Sequence, residues 1–227
     1  MEDEPEHPIR IRIAVAADVK YVYPILEEME RSARARGTGI ARRSPQSLCQ
    51  KIYEGKAVIA VAAKEAGNGI AGNGIAGNVA NGAPDEEWVG FSYIETWGGG
   101  SFVSNSGLIV NPVYRGVGVA KAIKQEIFAL SRRRYPGASI FSITTGAAVM
   151  KLNHQLGFEP VTYGEITRDA TFWDQCRHCV NYSILESKQR QLCLCTAMLF
   201  TPERTDRPVS GAVRPEEKVA GKVEFSI

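Results

Sequence analysis

The chain has 227 residues, 44% of them apolar and 23% charged, with 27 basic and 25 acidic side chains for a net charge of +2. That length holds one well-buried core, or one core with a small appendage, and the composition is that of a globular protein. The near balance of charge argues against a dedicated nucleic-acid binder, and no apolar run approaches the ~20 residues that span a bilayer.

The acidic start MEDEPEHP lacks the basic-plus-apolar pattern of an export signal, so a cytoplasmic protein with no membrane partner is expected. Residues 1–8 read as a solvated tail. From Ile9 to Val15, IRIRIAV alternates as a strand does. Asp18 can cap a helix whose apolar face is Val22, Ile25, Leu26, Met29 and Ala33. After a Gly- and Arg-rich loop over 36–43, Ser44-Pro45 reads as cap plus first position of a short helix reaching Tyr53. Ala57–Ala63 and Trp88–Trp97 read as two strands of a hairpin. Their connection, residues 64–87, is a degenerate five-residue repeat of Gly, Asn and Ala without a periodic apolar face. It reads as a flexible insertion at a loop tip, where added length costs little. A strand over Phe102–Val110, a helix over 116–134, a strand over Ala138–Thr144 and a helix over Ala147–Leu156 follow. A strand begins at Phe158, residues 163–190 are mixed, Leu194–Phe200 is a last strand, and 201–227 form a polar tail. Arg132, Arg133 and Arg134 close the 116–134 helix where cations complement its dipole, a structural placement. The alternation predicts a single α/β (α+β) domain over 9–200.

The segment around residue 115 carries the chemistry. Leu108–Val110 ends a strand, Arg115-Gly116-Val117-Gly118 forms a glycine-rich turn, and Ala120, Ile123, Ile127 and Leu130 recur as one helical face. A glycine-rich turn at a helix start exposes unpaired N–H groups at the positive end of the dipole, which binds phosphate. A dinucleotide loop would want a third glycine where Lys121 stands, and a Walker-type loop would end in Gly-Lys-Ser/Thr, which is absent. An ordinary strand-to-helix turn without a ligand also fits these residues alone.

Arg115-x-x-Gly118-x-Ala120 resembles the pyrophosphate motif of the GNAT family of acyl-CoA-dependent N-acyltransferases. A second segment, Met150–Phe158 (MKLNHQLGF), resembles the family's helix that ends on glycine before an aromatic-led strand. The order of elements over roughly 9–200 is similar too. The resemblance implies a central mixed, mostly antiparallel sheet flanked by helices, with acyl-CoA (acetyl-CoA or succinyl-CoA) as co-substrate. It places the cofactor on Ile109, Val110, Arg115, Gly116, Val117, Gly118, Val119, Ala120 and Lys121, with Asn153 beside it. Direct attack of an amine on the thioester needs a fixed donor for the oxyanion, which the resemblance puts near Val110, and a base, for which Glu95 is the candidate. An exposed strand carboxylate is the plain alternative for Glu95. Asn153 stands where family members often carry a tyrosine that protonates the leaving thiolate. The thiolate then departs unassisted, or a tyrosine elsewhere, such as Tyr182, serves.

RARGTGIARRSP and the segment from Phe172 to Phe200 resemble a bacterial subgroup that makes N-acylglutamate for arginine biosynthesis. Arg36, Arg42 and Arg43 would then grip the carboxylates of a small amino-acid acceptor, as arginine forks do; a solvated face or contact with CoA phosphates is the alternative. Cys176, Cys179, Cys193 and Cys195, within a Cys-rich segment over 172–195, have the pairing of a structural zinc site, against which stand buried reduced thiols. Cys49 reads as core. The expected function is acyl transfer to an amino acid, glutamate preferred, by a chain for which a homodimer is compatible. A protein or peptide acetyltransferase, or a CoA- or metal-binding module without turnover, are the competing readings.

Overall fold

A computed structural model of the chain describes residues 9–36, 42–63 and 86–202. The expected tail at 1–8, most of the 201–227 tail and the repeat within 64–87 lie outside those residues, as does the middle of the arginine loop. Glu86 and Glu87 are strand, so the insertion expected up to residue 87 ends before them.

Seven strands form the sheet: β1 (Arg10–Ile13), β2 (Ala57–Ala63), β3 (Glu86–Trp97), β4 (Phe102–Val110), β5 (Ser139–Thr144), β6 (Glu159–Val161) and β7 (Thr196–Phe200). Their order is β1-β2-β3-β4-β5-β7-β6. β1 to β4 run as an antiparallel meander, and β5, β7 and β6 form a second antiparallel group. The two groups meet at β4 and β5, which are parallel. The mixed, mostly antiparallel sheet is therefore as expected.

Helices cover both faces. On one, α1 (Val22–Arg36) and α2 (Pro45–Tyr53) bury Val22, Ile25, Met29, Leu48 and Ile52 against Ile59, Val61 and Phe91. Ser44 caps α2 as its sequence requires, its Oγ accepting from Ser47 N–H at 3.1 Å, with Pro45 at the first position. Asp18 acts differently from a simple cap. It is the third residue of a 3-10 turn (Ala16–Tyr21) that leads into α1, and its carboxylate reaches back to Val15 N–H at 2.7 Å. Arg12 clamps the same carboxylate at 2.6 and 2.8 Å. Although burial raises its pKa, these bonds hold Asp18 below its ordinary value.

On the opposite face α3 (Val119–Arg134) packs across β1 to β4 through Ile123, Ile127 and Leu130, and α4 (Ala147–Gln155) packs on β5 and β7. The three arginines that end α3 are structural, as their position predicted. Arg132 donates to Pro136 O at 2.7 Å, Arg133 pairs with Glu126 at 2.8 Å, and Arg134 donates to Glu54 O and Gly55 O, each at 2.8 Å. Two short helices, α5 (Ala170–Asp174) and α6 (Tyr182–Ser187), complete a third apolar cluster around Trp97, Phe141, Trp173 and Leu185.

Candidate active site

The site begins with a defect in the sheet. β4 and β5 pair only where Phe102–Ser104 face Ser139–Phe141; from Asn105 onward the two strands part. β4 carries a bulge on the same stretch. Between the pairs Phe91↔Ile109 and Tyr93↔Ser106, β4 advances one residue more than β3 does. Gly107 supplies the required backbone, with φ of +66°. A cavity of about 220 Å³ fills the wedge, walled by Ser106, Gly107 and Leu108 of β4 and Ser142, Ile143 and Thr144 of β5. A second cavity, of about 270 Å³, lies between α3 and α4, where Lys121 and Gln125 face Leu152 and Gln155. Lys124 lines both.

At the outer end of β4 the chain passes through the glycine turn. Gly116 and Gly118 take φ of +88° and +89°, and Gly118 is the N-cap of α3, which starts at Val119 rather than at residue 116. A Cβ on either glycine would meet nothing within 4 Å, so the space beside both glycines of the turn is open. Gly116, Val117, Gly118 and Lys121 are exposed, Ala120 is half-buried, and Val119 and Ile109 turn into the core. Arg115 does not reach over the turn. Its guanidinium bonds to Glu28 Oε1 at 2.6 Å, to Ser32 Oγ at 3.1 Å and back to Val110 O at 3.1 Å, tying the turn to α1. Arg115, expected beside the phosphate, is thus engaged with α1 and with its own strand.

Val110 sits at the free edge of β4. Asn111 N–H donates to Val89 O at 2.8 Å, so by antiparallel alternation the N–H of Val110 points away from β3, toward the side β5 has left. Glu95 is occupied: Lys51 Nζ lies 2.8 Å from its carboxylate, and Gln175 Nε2, whose side chain lines the wedge cavity, lies at 3.4 Å. Of the three arginines, Arg43 reaches the cavity wall and donates to the Tyr93 hydroxyl. Arg42 is exposed, and Arg36 is the last residue of α1 with its side chain outside the described set. Tyr182 lines the same cavity. Asn153 is fully buried on α4; its Nδ2 lies 3.5 Å from Met198 Sδ, and its Oδ1 has no hydrogen-bond partner.

Two features escaped the sequence reading. The β4 bulge was signalled by a lone glycine, Gly107, inside a strand pattern. Lys124 was signalled by its position: it falls beside Ile123 and Ile127 on the inward stripe of α3, where a lysine has no ordinary place.

The zinc expectation is corrected. All four cysteines face the wedge cavity, yet among the described residues no group of three or more Cys, His, Asp or Glu is arranged to hold a metal. The 13 residues expected to act as a closing loop between the pairs are instead packed chain, with α6 seating Leu185 in the core. Cys179 Sγ accepts from Asn181 N–H at 3.4 Å and Cys193 Sγ faces Asn181 O at 3.9 Å. Burial, with the neighbouring cysteines adding to it, pushes the Cys176 thiol up to about 11 and that of Cys195 to about 12. The arrangement of these four side chains is not that of a zinc site, and partly buried reduced thiols describe it.

No helix among the described residues is long and apolar enough to cross a membrane. No protein-family model and no curated protein sequence matches the chain. Solved structures do match. N-acetylglutamate synthase from Neisseria gonorrhoeae, complexed with coenzyme A and N-acetyl-glutamate, superposes with a TM-score of 0.52 at 16% identity. That match covers 87% of this chain and 36% of the other, so this chain spans about a third of the Neisseria enzyme. Rv2747 from Mycobacterium tuberculosis, complexed with CoA, matches with a TM-score of 0.51 at 15% identity, over 85% of this chain and 98% of that one. A GNAT superfamily phosphinothricin acetyltransferase from Sinorhizobium meliloti, in complex with AcCoA, matches with a TM-score of 0.50 at 17% identity, over 90% and 95%. The meander, the parted β4 and β5, and the glycine turn leading into α3 are thus set in the fold of the GNAT acetyltransferases.

Proposed function

We propose that this chain is an N-acyltransferase that moves an acetyl or succinyl group from CoA to the amine of a small, carboxylate-bearing amino acid, glutamate preferred. Fold alone does not assign chemistry. The observation that carries the reading is the wedge: a parted pair of parallel strands whose cavity shares Lys124 with a second cavity between α3 and α4, the helix that the open glycine turn begins. In this reading the CoA pyrophosphate rests on the N–H groups of Gly116 to Lys121, and the thioester enters between β4 and β5. The free-edge N–H of Val110 belongs to the donors available to the developing oxyanion. Glu95, salt-bridged to Lys51 and linked to the cavity through Gln175, is the proton acceptor on the amine side. Arg43 is the acceptor-selecting arginine, because its guanidinium is on the cavity wall while Arg42 points to solvent. A thiol-release assay with acetyl-CoA and succinyl-CoA against an amino-acid panel and a lysine-rich peptide tests the whole reading. Turnover with glutamate supports it, and turnover with the peptide alone overturns the choice of acceptor.

A further inference from the structure

Glu28 is a buried carboxylate with no task in the reading above. It sits on α1, is 2% exposed, and gathers three side chains around it. Its Oε1 accepts from Arg115 at 2.6 Å and from Ser32 Oγ at 2.9 Å, and its Oε2 accepts from Arg31 Nε at 2.7 Å. Ser32, itself buried, accepts from the same Arg115 nitrogen at 3.1 Å, which closes a ring of three bonds. Although burial raises the pKa of Glu28, the bonds from Arg31 and Ser32 and the charges of Arg31 and Arg115 hold it below its ordinary value. It is therefore an anion near neutrality. The Arg115 side chain is half-exposed and would otherwise be free to swing; anchored in this way, its Nε donates to Val110 O at 3.1 Å.

That last bond falls on the free edge of β4. In an antiparallel pair the N–H and C=O of one residue point to the same side. Val110 stands opposite Gly90, and the ladder bond is made one residue on, by Asn111 N–H to Val89 O. Val110 therefore presents both its N–H and its C=O to the side that β5 has left. The two groups have opposite effects on a thioester there. As the acceptor amine adds to the thioester carbon, the carbonyl π pair moves onto oxygen. The N–H stabilises that anion, and an uncapped C=O beside it would repel it. Arg115 takes the C=O and leaves the N–H. On the acyl-CoA reading, we propose that Glu28 and Arg115 are positioning residues for the oxyanion: the buried carboxylate holds the guanidinium on Val110 O, so that the Val110 N–H is the unopposed pole of that edge. The bond also replaces a ladder contact that the parted strand has lost, fixing Val110 from the side opposite Asn111. A leucine or methionine at position 28 would fill α1 without the cost of burying a charge. Without its anchor, an exposed arginine would gain nothing by staying on one carbonyl.

The test reads the thioester carbonyl directly, by infrared difference spectroscopy of carbonyl-labelled acetyl-CoA bound to the parent, to Glu28→Gln and to Arg115→Lys. The lysine keeps a charge for Glu28 but has no second nitrogen to serve Val110 O at the same time, so it restores an ion pair without the fork. Arg115 is half-exposed, so its variant folds even if Glu28→Gln does not. In the parent the carbonyl stretch should lie below that of free acetyl-CoA. Both variants should lose that shift and about tenfold or more in kcat in the thiol-release assay with glutamate, while calorimetry shows acetyl-CoA affinity unchanged. Retention of the shift or of kcat by either variant would overturn the proposal. A loss of acetyl-CoA affinity as large as the loss in kcat would make the clamp a support of the phosphate turn, and would overturn it too. The infrared readout needs no acceptor, so it decides the matter even where glutamate does not turn over. If the parent binds no acetyl-CoA, the acyl-CoA reading itself fails. Where the parent binds it with an unshifted carbonyl, that reading stands and this proposal alone falls.

Discussion

Gly107→Ala is the substitution that most directly probes the bulge on which the wedge depends. Two costs add at this position. The backbone holds φ of +66°, in the left-handed region, where a side chain costs roughly 1–2 kcal/mol. An added Cβ would also lie 2.4 Å from Tyr93 Cε1, 2.9 Å from Tyr93 Cδ1 and 3.2 Å from Met29 Cε. Tyr93 is fully buried and its hydroxyl accepts from Arg43, so the ring cannot simply swing away. Overpacking of this kind costs about 1–3 kcal/mol. The sum is about 2–5 kcal/mol, a large share of the ~5–15 kcal/mol that a domain has. Gly99 provides an internal control, because it has the same φ of +66° and nothing within 4 Å of its Cβ position. Urea denaturation of both variants should show Gly99→Ala losing only the backbone part and Gly107→Ala losing more by about 1–3 kcal/mol. Calorimetry should also show weaker CoA binding by Gly107→Ala, because relieving the clash straightens β4 and moves Leu108 in the cavity wall. Equal stability of the two variants, with CoA affinity intact in both, would refute the steric account of the bulge.

Gly118→Asp should leave a folded protein, losing only the roughly 1–2 kcal/mol of a side chain at positive φ because its Cβ meets nothing within 4 Å, and should abolish CoA binding by placing a carboxylate where phosphate must approach; unchanged affinity by calorimetry would remove the phosphate site from this turn. Arg43→Ala should raise the acceptor KM roughly tenfold or more while moving the acyl-CoA KM little, the loss of a charged hydrogen bond costing about 1.5–3 kcal/mol, and Arg42→Ala should do less; equal effects in steady-state kinetics would argue against cavity-side selection. The parent's stability should rise between pH 7 and about 10, because the unfolded chain keeps a proton on Lys124 that the folded chain has lost above about 7. Lys124→Met should be the more stable protein at pH 7, with that rise removed; denaturant melts that show the same pH slope in both would place the lysine's charge in solvent.

Where local chemistry and periodicity agreed, the structure was legible in the residues. Ser44-Pro45 marks the start of α2, AVIAVAA is β2, and the Gly118 turn opens α3 as its glycines demand. Asp18 was misjudged because a carboxylate serves a helix start either as the cap or, from the third position, by reaching back to the cap residue's N–H, and sequence spacing does not separate the two. The cysteines misled for a different reason. Spacing says which thiols can chelate together, whereas α6 and buried Leu185 decide how the intervening chain packs, and that is a tertiary matter. Glu95 and Arg115 were recognisable as charged groups near the site, but their partners Lys51 and Glu28 come from other helices, 44 and 87 residues away in the chain. Such pairings have no signature in one sequence.

The three paired rows between β4 and β5 also bear on how the protein assembles. The meander β1 to β4 joins sequential neighbours, so its contacts close short loops apart from the long β2–β3 connection. β5, β7 and β6 need Thr196–Phe200 to return between two earlier strands, a later and less local event. With so little ladder joining them, the two groups are candidates for separate cooperative units, distinguishable by amide hydrogen exchange. A molecule lying in the wedge would touch both, and by mass action it would couple their opening. The same gap that admits a ligand therefore makes the ligand part of the cement: protection of β7 amides should climb with CoA concentration, whereas β2 amides, deep in the meander, should respond far less.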